Sequence, residues 1–286
     1  MSEPLRIAED SYCVLQRSEQ VNTAVIFVHG FGGHPLRTWL QFPVLATELS
    51  YLFPWWSECD LYFWRYPSTR QRILMTSQNL RNFIQQIYPN PNAAIFPRSK
   101  GMPERHYSKL LLVGHSQGAV VVRHAVISAV HERATMAATA GSGSPAIGEY
   151  TADWLLSAQI RLFAPALAGG SPSGLLGFFL QFQLTSAVVQ PYLASLPGYN
   201  DMQPSNLLFQ QLRSDTTSAA RTNIHIRALR ARVLYGESDN VVHPGAYPDD
   251  FIEPTEPDRG HTDICKPTER YMRPLSFVRY DDSGTS

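Results

Sequence analysis

Ser116, Asp239 and His261 are the residues on which chemistry can be built in this chain. Ser116 stands in Gly114-His115-Ser116-Gln117-Gly118, a G-x-S-x-G pentapeptide. An apolar run, Leu110–Val113, precedes it, and another, Ala119–Val130, follows. Read as strand, sharp turn and helix, the stretch lifts a hydroxyl out of a sheet. Both flanking positions favour glycine, because a larger residue would clash with the neighbouring backbone. The turn also sets the hydroxyl at a helix N-terminus, where unbonded N–H groups and the dipole favour developing negative charge. A bare G-x-S-x-G arises by chance in about one chain in ten of this length. Its weight therefore comes from the flanking elements and from the partners downstream.

A serine hydroxyl is a weak nucleophile at neutral pH. It needs an imidazole to take its proton, a carboxylate to orient that imidazole, and N–H donors for the oxyanion. In a sheet of this kind the partners follow in the order serine, acid, histidine, each at the C-terminal end of a strand. Asp239 lies just past the strand read over Arg232–Gly236, with Glu237 the near alternative. Asp249, Asp250 and Asp258 fall in the following loop and read as solvated. Nine histidines compete for the base. His29 and His115 belong to the turn motifs and read as flanking the site from the wrong side. His124 and His131 lie on the elbow helix, while His34, His106 and His225 precede the acid or sit in loops. His243 follows the acid too closely. His261, in a Gly-His loop ahead of the last helix, is the base this order selects. The oxyanion donors are read as the backbone N–H of Gln117 and that of Phe31, in His29-Gly30-Phe31-Gly32-Gly33. That glycine-rich turn has neither the Lys-Ser/Thr of a P-loop nor the spacing of a dinucleotide fingerprint. The chemistry calls for no metal and no organic cofactor.

The elements that must position these groups are legible as alternating signals. Leu5–Arg17 reads as one or two edge strands, and Thr23–Val28 as a central parallel strand. Leu36–Leu52 reads as a helix, Asp60–Tyr66 as a strand, and Arg72–Tyr88 as an amphipathic helix. Pro89–His106 reads as a surface loop and Glu132–Trp154 as a loop or loose insertion. Gln159–Pro165 reads as a sixth strand, Asn206–Leu212 as a short helix, and Thr268–Val278 as a closing helix. This alternation predicts an α/β class with a doubly wound, mostly parallel sheet of about eight strands. The whole of 1–286 reads as one domain, with 171–215 as a cap or lid insertion. Ser171–Leu196 is the most apolar part, but falls short of the roughly 20 uninterrupted apolar residues of a membrane span. It reads as a core helix pair or, the favoured reading, as a cap whose apolar face lines an acyl pocket.

Composition narrows the classes further. The 286 residues carry 24 Lys plus Arg against 24 Asp plus Glu, a net charge of zero. No basic stripe suited to a phosphate backbone appears, so nucleic acid is not an expected partner. Cys13, Cys59 and Cys265 are odd in number and widely spaced, neither a disulfide framework nor a metal-ligand pattern. The acidic N-terminal decapeptide has no apolar core, so no signal peptide is visible and the chain reads as cytoplasmic.

Val25–Trp39, Val113–Gly118 and His261–Pro267 together resemble the serine esterases and lipases related to GPI inositol-deacylase and to serine-active-site-containing proteins. Leu162–Gly170 resembles the sixth strand and following turn of that group. The likeness runs from about Thr23 to Arg273 and is concentrated at the motifs. It implies an α/β-hydrolase fold, a triad of Ser116, Asp239 and His261, and a lipid-like or other acyl-ester substrate. A thioesterase or small-ester esterase would use the same triad. A hydrolase fold that binds lipid or protein without catalysis is the alternative from another class.

Overall fold

The computed structural model describes residues 4–7, 10–16, 18–92, 104–140 (139 and 140 as backbone only), 154–169, 193–242, 245 and 247–282. Its strands are β1 (Leu5–Arg6), β2 (Tyr12–Val14), β3 (Thr23–Val28), β4 (Cys59–Trp64), β5 (Lys109–His115), β6 (Ala158–Phe163), β7 (Arg232–Leu234) and β8 (Phe251–Ile252). They form one eight-stranded sheet in the order β1-β2-β4-β3-β5-β6-β7-β8. β1 and β2 pair antiparallel at one edge, and every pair from β4 to β8 is parallel. The expected α/β class and mostly parallel sheet are those of the structure.

All six residues of β3 and all six of β4 are buried, because helices cover both faces of this part of the sheet. Phe27 of β3 anchors the packing on one face. Its ring stacks on Phe63 at 4.7 Å and meets Trp39 and Phe42 edge-on at 5.0 and 4.9 Å. Among the described residues no helix is long and apolar enough to cross a membrane.

The helices are α1 (Phe42–Glu48), α2 (Ile73–Ile87), α3 (Gln117–Ala140), α4 (Trp154–Ser157), α5 (Pro197–Asp201), α6 (Leu207–Thr222) and α7 (Arg273–Phe277). Several differ from expectation for identifiable reasons. The helix expected over Leu36–Leu52 forms only as α1. Pro43 cannot donate to the preceding turn, and Leu40 takes a positive φ of 49°, so the helix restarts with Pro43 in its first turn. The loop expected from Glu132 is helical to Ala140, since Arg-Ala-Thr-Met-Ala-Ala-Thr-Ala is rich in the best helix former. Asn206 caps α6 by accepting from the Leu208 N–H at 3.0 Å, and the helix continues ten residues beyond the expected end, to Thr222. The expected closing helix shrinks to α7, because Thr268 and Tyr271 close a tight turn on each other. β8 was not expected; two exposed residues carry no alternation to read. Of the expected cap, 171–192 and with them most of the apolar run lie outside the described residues, whereas 193–215, α5 included, are described.

Asp250 corrects a further expectation. Its side chain is fully buried rather than solvated, and both carboxylate oxygens accept from Arg123 Nη2, at 2.6 and 2.7 Å. Arg123 sits on α3, also fully buried, and donates through Nη1 to the Leu229 carbonyl. Asp250 in turn accepts the N–H groups of Ala231 and Tyr247. The pair ties the elbow helix to the segment after β7. Breaking a buried pair leaves one charge uncompensated, so Arg123→Met is expected to lower the unfolding free energy by about 3–5 kcal/mol. Urea denaturation reads this directly. The double variant Arg123→Met/Asp250→Leu is expected to recover part of the loss, since it removes the stranded carboxylate.

Candidate active site

The parallel strands β3, β5 and β7 all end on the same edge, and the loops after them converge there, as in open α/β sheets generally. Ser116 stands between β5 and α3 with a φ of 55°, a left-handed conformation disfavoured for a residue with a side chain. The glycines around it make the turn possible. A Cβ on Gly114 would come within 2.6 Å of the Ala119 Cα, and one on Gly118 within 2.2 Å of the Val28 carbonyl oxygen. The first turn of α3 is thus pressed against the end of β3. The Ser116 N–H donates to the Phe163 carbonyl at 3.1 Å, which fixes the turn to β6.

His261 and Asp239 reach the same point from distant parts of the chain. His261 Nε2 lies 2.9 Å from Ser116 Oγ, and His261 Nδ1 lies 2.9 Å from Asp239 Oδ2. With Asp239 ionised, the network assigns the proton to Nδ1 and leaves Nε2 to accept from the serine hydroxyl. Asp239 divides its oxygens between two tasks. Oδ2 meets the imidazole, while Oδ1 accepts the N–H groups of Val241 and Val242 at 2.9 and 3.1 Å. Burial raises the pKa of this carboxyl, but the bonds from His261 and the two N–H groups outweigh it and hold the group below its usual value. Glu237, the near alternative, is exposed and takes no part. Its backbone instead helps to lock the acid loop: the N–H of Glu237 donates to the Glu256 carbonyl, and that of Ser238 to Arg259 at 3.0 Å.

The loop after β3 closes the site from the other side. A Cβ on Gly30 would come within 2.9 Å of the Ser116 Cβ, so only glycine lets this turn lie so close to the serine. Tyr66 Oη donates to the His29 carbonyl at 2.6 Å, and the Gly32 N–H donates to Ser68 Oγ at 3.0 Å. Phe31 therefore follows a turn pinned beside Ser116, and Gln117 opens α3 directly after it, where its N–H has no intrahelical acceptor. A cavity of about 430 Å³ opens over the serine and is bounded by Phe31, His34, Arg37, Val241, His261 and Lys266, among others. Among the described residues, no group of three His, Cys, Asp or Glu is placed to hold a metal.

His115 corrects the expectation that it flanks the site from the wrong side. Its ring packs 4.9 Å from that of His261, and its Nε2–H donates to the His261 carbonyl at 2.8 Å. The residue before the serine thus holds the backbone of the histidine that touches the serine. Nothing in residue spacing signals this, because it depends on loop packing. His29 is buried against the Tyr66 ring at 4.4 Å and donates from Nδ1 to the Gly30 carbonyl. His34 accepts the N–H groups of Leu36 and Arg37 at Nδ1. His106, His131 and His225 are not brought to the site, and His243 lies outside the described residues.

Burial is the main cause that lowers the pKa of His115 to about 3 and that of His29 to about 4. Both rings are neutral in the folded protein across the physiological range. On unfolding they return toward 6.5, so between pH 6.5 and 4 the unfolded chain binds more protons than the folded one. Stability is expected to fall as pH drops through that window. Urea midpoints at pH 7, 6 and 5 test it, and His29→Phe is expected to flatten the decline if the variant folds. His115→Phe is expected to flatten it too, and in addition to strand the His261 carbonyl at a cost of about 1–3 kcal/mol.

No protein-family model matches the chain, and no curated protein matches its sequence. Among solved structures, phospholipase PlaB from Legionella pneumophila, in complex with thio-NAD, aligns at 15% identity with a TM-score of 0.46. That alignment covers 76% of this chain and 38% of the phospholipase. N-formylmaleamic acid deformylase from Pseudomonas putida S16 aligns at 9% identity and a TM-score of 0.47, over 96% and 99% of the two chains. Peroxisomal alpha-beta-hydrolase Lpx1 from Saccharomyces cerevisiae aligns at 10% identity and a TM-score of 0.45, over 88% and 75%. With strands ordered β1-β2-β4-β3-β5-β6-β7-β8, an antiparallel β2, and a glycine-flanked serine elbow between β5 and α3, this chain has the α/β-hydrolase fold.

Proposed function

We propose that the chain is a serine hydrolase of carboxylic esters. The observation that carries this reading is the continuous hydrogen-bonded series from Asp239 through His261 to Ser116, each link at 2.9 Å. In this reading His261 Nε2 takes the proton from Ser116 Oγ as the oxygen attacks the ester carbonyl. Asp239 holds the imidazole in the required tautomer and stabilises the imidazolium that forms. The backbone N–H groups of Phe31 and Gln117 receive the oxyanion. The imidazolium then protonates the departing alcohol, leaving an acyl-enzyme on Ser116. Water, deprotonated by His261, attacks that ester and restores the serine. Each loss of an oxyanion donor costs roughly 3–4 kcal/mol of barrier in such sites.

The acyl group we assign is lipid-like, of medium or long chain. The support is the apolar composition of Ser171–Leu196, read as a cap over the site, a stretch that lies mostly outside the described residues. An apolar lining discriminates by length, at about 0.8 kcal/mol per buried CH₂.

A fluorophosphonate probe tests the nucleophile: stoichiometric labelling of the intact chain is expected, and none of Ser116→Ala. Asp239→Asn is expected to lower kcat by about 10⁴ while the chain remains folded. Absence of labelling at Ser116 would favour a lipid- or protein-binding role for the fold. A panel of p-nitrophenyl esters reads the acyl preference. kcat/KM is expected to rise about fourfold per CH₂ through the medium chains, and a preference for acetate would remove the long-chain assignment.

A further inference from the structure

The cavity over Ser116 is unevenly charged. Its ionisable lining consists of His34, Arg37, His115, His261 and Lys266, and no carboxylate lines it among the described residues. Asp239 lies behind His261, with its oxygens already committed. Several buried and half-buried cations elsewhere in the chain are matched by acids: Arg105 by Asp60, Arg123 by Asp250, Arg161 by Asp281, and Arg232 and Arg273 by Glu253. Arg37 and Lys266 have no acidic partner within 4.0 Å among the described residues. The segment 170–192 contains no charged residue that could supply one.

The two cations also stand on abutting loops. Cys265 Sγ donates to the Thr38 carbonyl at 3.4 Å, joining the immediate sequence neighbours of Lys266 and Arg37. Bringing two like charges together without a counter-charge is unfavourable, and an anion between them would relieve it. His34 adds a neutral donor. Its Nδ1 accepts from Leu36 and Arg37, which places the ring proton on Nε2. The histidines register the cations too: after burial, Arg37 helps to depress the His34 pKa, and Lys266 is among the charges that depress that of His115.

We propose that Arg37 and Lys266, with the Nε2–H of His34, form an anion subsite in the cavity that holds Ser116. The ester cleaved there carries a carboxylate or phosphate group. The subsite rests on the reading of Ser116 as the nucleophile, deepens it by naming the substrate class, and gives the half-buried Lys266 and the exposed Arg37 at the cavity rim a counter-charge.

The test compares matched esters on the full chain. Mono(4-nitrophenyl) glutarate against 4-nitrophenyl pentanoate isolates a carboxylate on the acyl side. Dihexanoyl phosphatidic acid against dihexanoylglycerol isolates a phosphate on the alcohol side. In at least one pair kcat/KM is expected to favour the anionic member by about tenfold. The pair that shows the preference identifies the source of the charge. Lys266→Gln is expected to cut that ratio by about fivefold, mostly through KM, and the more exposed Arg37→Gln by less. Raising salt from about 0.05 to 0.5 M is expected to erode it. Lys266→Glu is expected to invert it. Ratios within about twofold of unity in both pairs, or a ratio that neither substitution moves, would overturn the subsite. Should no ester turn over and no probe label Ser116, the hydrolase reading itself fails, and calorimetry decides the subsite separately. Binding of glutarate or inorganic phosphate to Ser116→Ala, weakened by Lys266→Gln, keeps it; no binding removes it.

Discussion

The whole arrangement depends on one backbone conformation, the left-handed φ at Ser116. For a residue with a Cβ this costs on the order of 1–2 kcal/mol, and nothing local offsets it. It is held from outside. The N–H of Ser116 is taken by β6, its carbonyl accepts the Ala119 N–H, and the glycines at 114 and 118 let the helix start lie against β3. A strained residue persists only where its surroundings over-determine it. Here the surroundings are the centre of the parallel sheet, the most deeply buried part of the molecule.

Everything else at the site is an answer to the question of how three loops meet above that turn. The loop after β3 approaches through Gly30, the acid loop after β7 is locked by backbone bonds to Glu256 and Arg259, and the His261 loop is tethered to His115. The electrostatics follow from the same geometry. Burial keeps His115 and His29 neutral, so neither adds positive charge beside Asp239 and His261. Asp239 stays ionised because it gains more from its donors than it loses to burial.

The fold was largely legible where burial is two-sided. β3 coincides with Thr23–Val28 residue for residue, since five apolar side chains in a row after Thr23 have no other home. The pattern failed where small or polar residues do the packing. α6 buries Thr216, Ala219 and Ala220 in line with Phe209 and Leu212, a helical face hidden by its lack of large side chains. α1 was overextended because apolar spacing says nothing of a proline in mid-run. For the site, the order of serine, acid and histidine along the chain was legible, because strand ends recur in sequence. The partnership of His115 with His261, the burial of Asp250 and the pairing state of Arg37 and Lys266 were not. They are properties of loops packed against loops, and no periodicity encodes them.

The bond from His115 to the His261 carbonyl has one more consequence. The backbone of His261 takes its bearings from the residue next to the serine as well as from the covalent path leading to it, which is itself pinned at Asp250 and again at Arg259, two residues short of the imidazole. Separation along the backbone and alignment in space are thereby partly uncoupled.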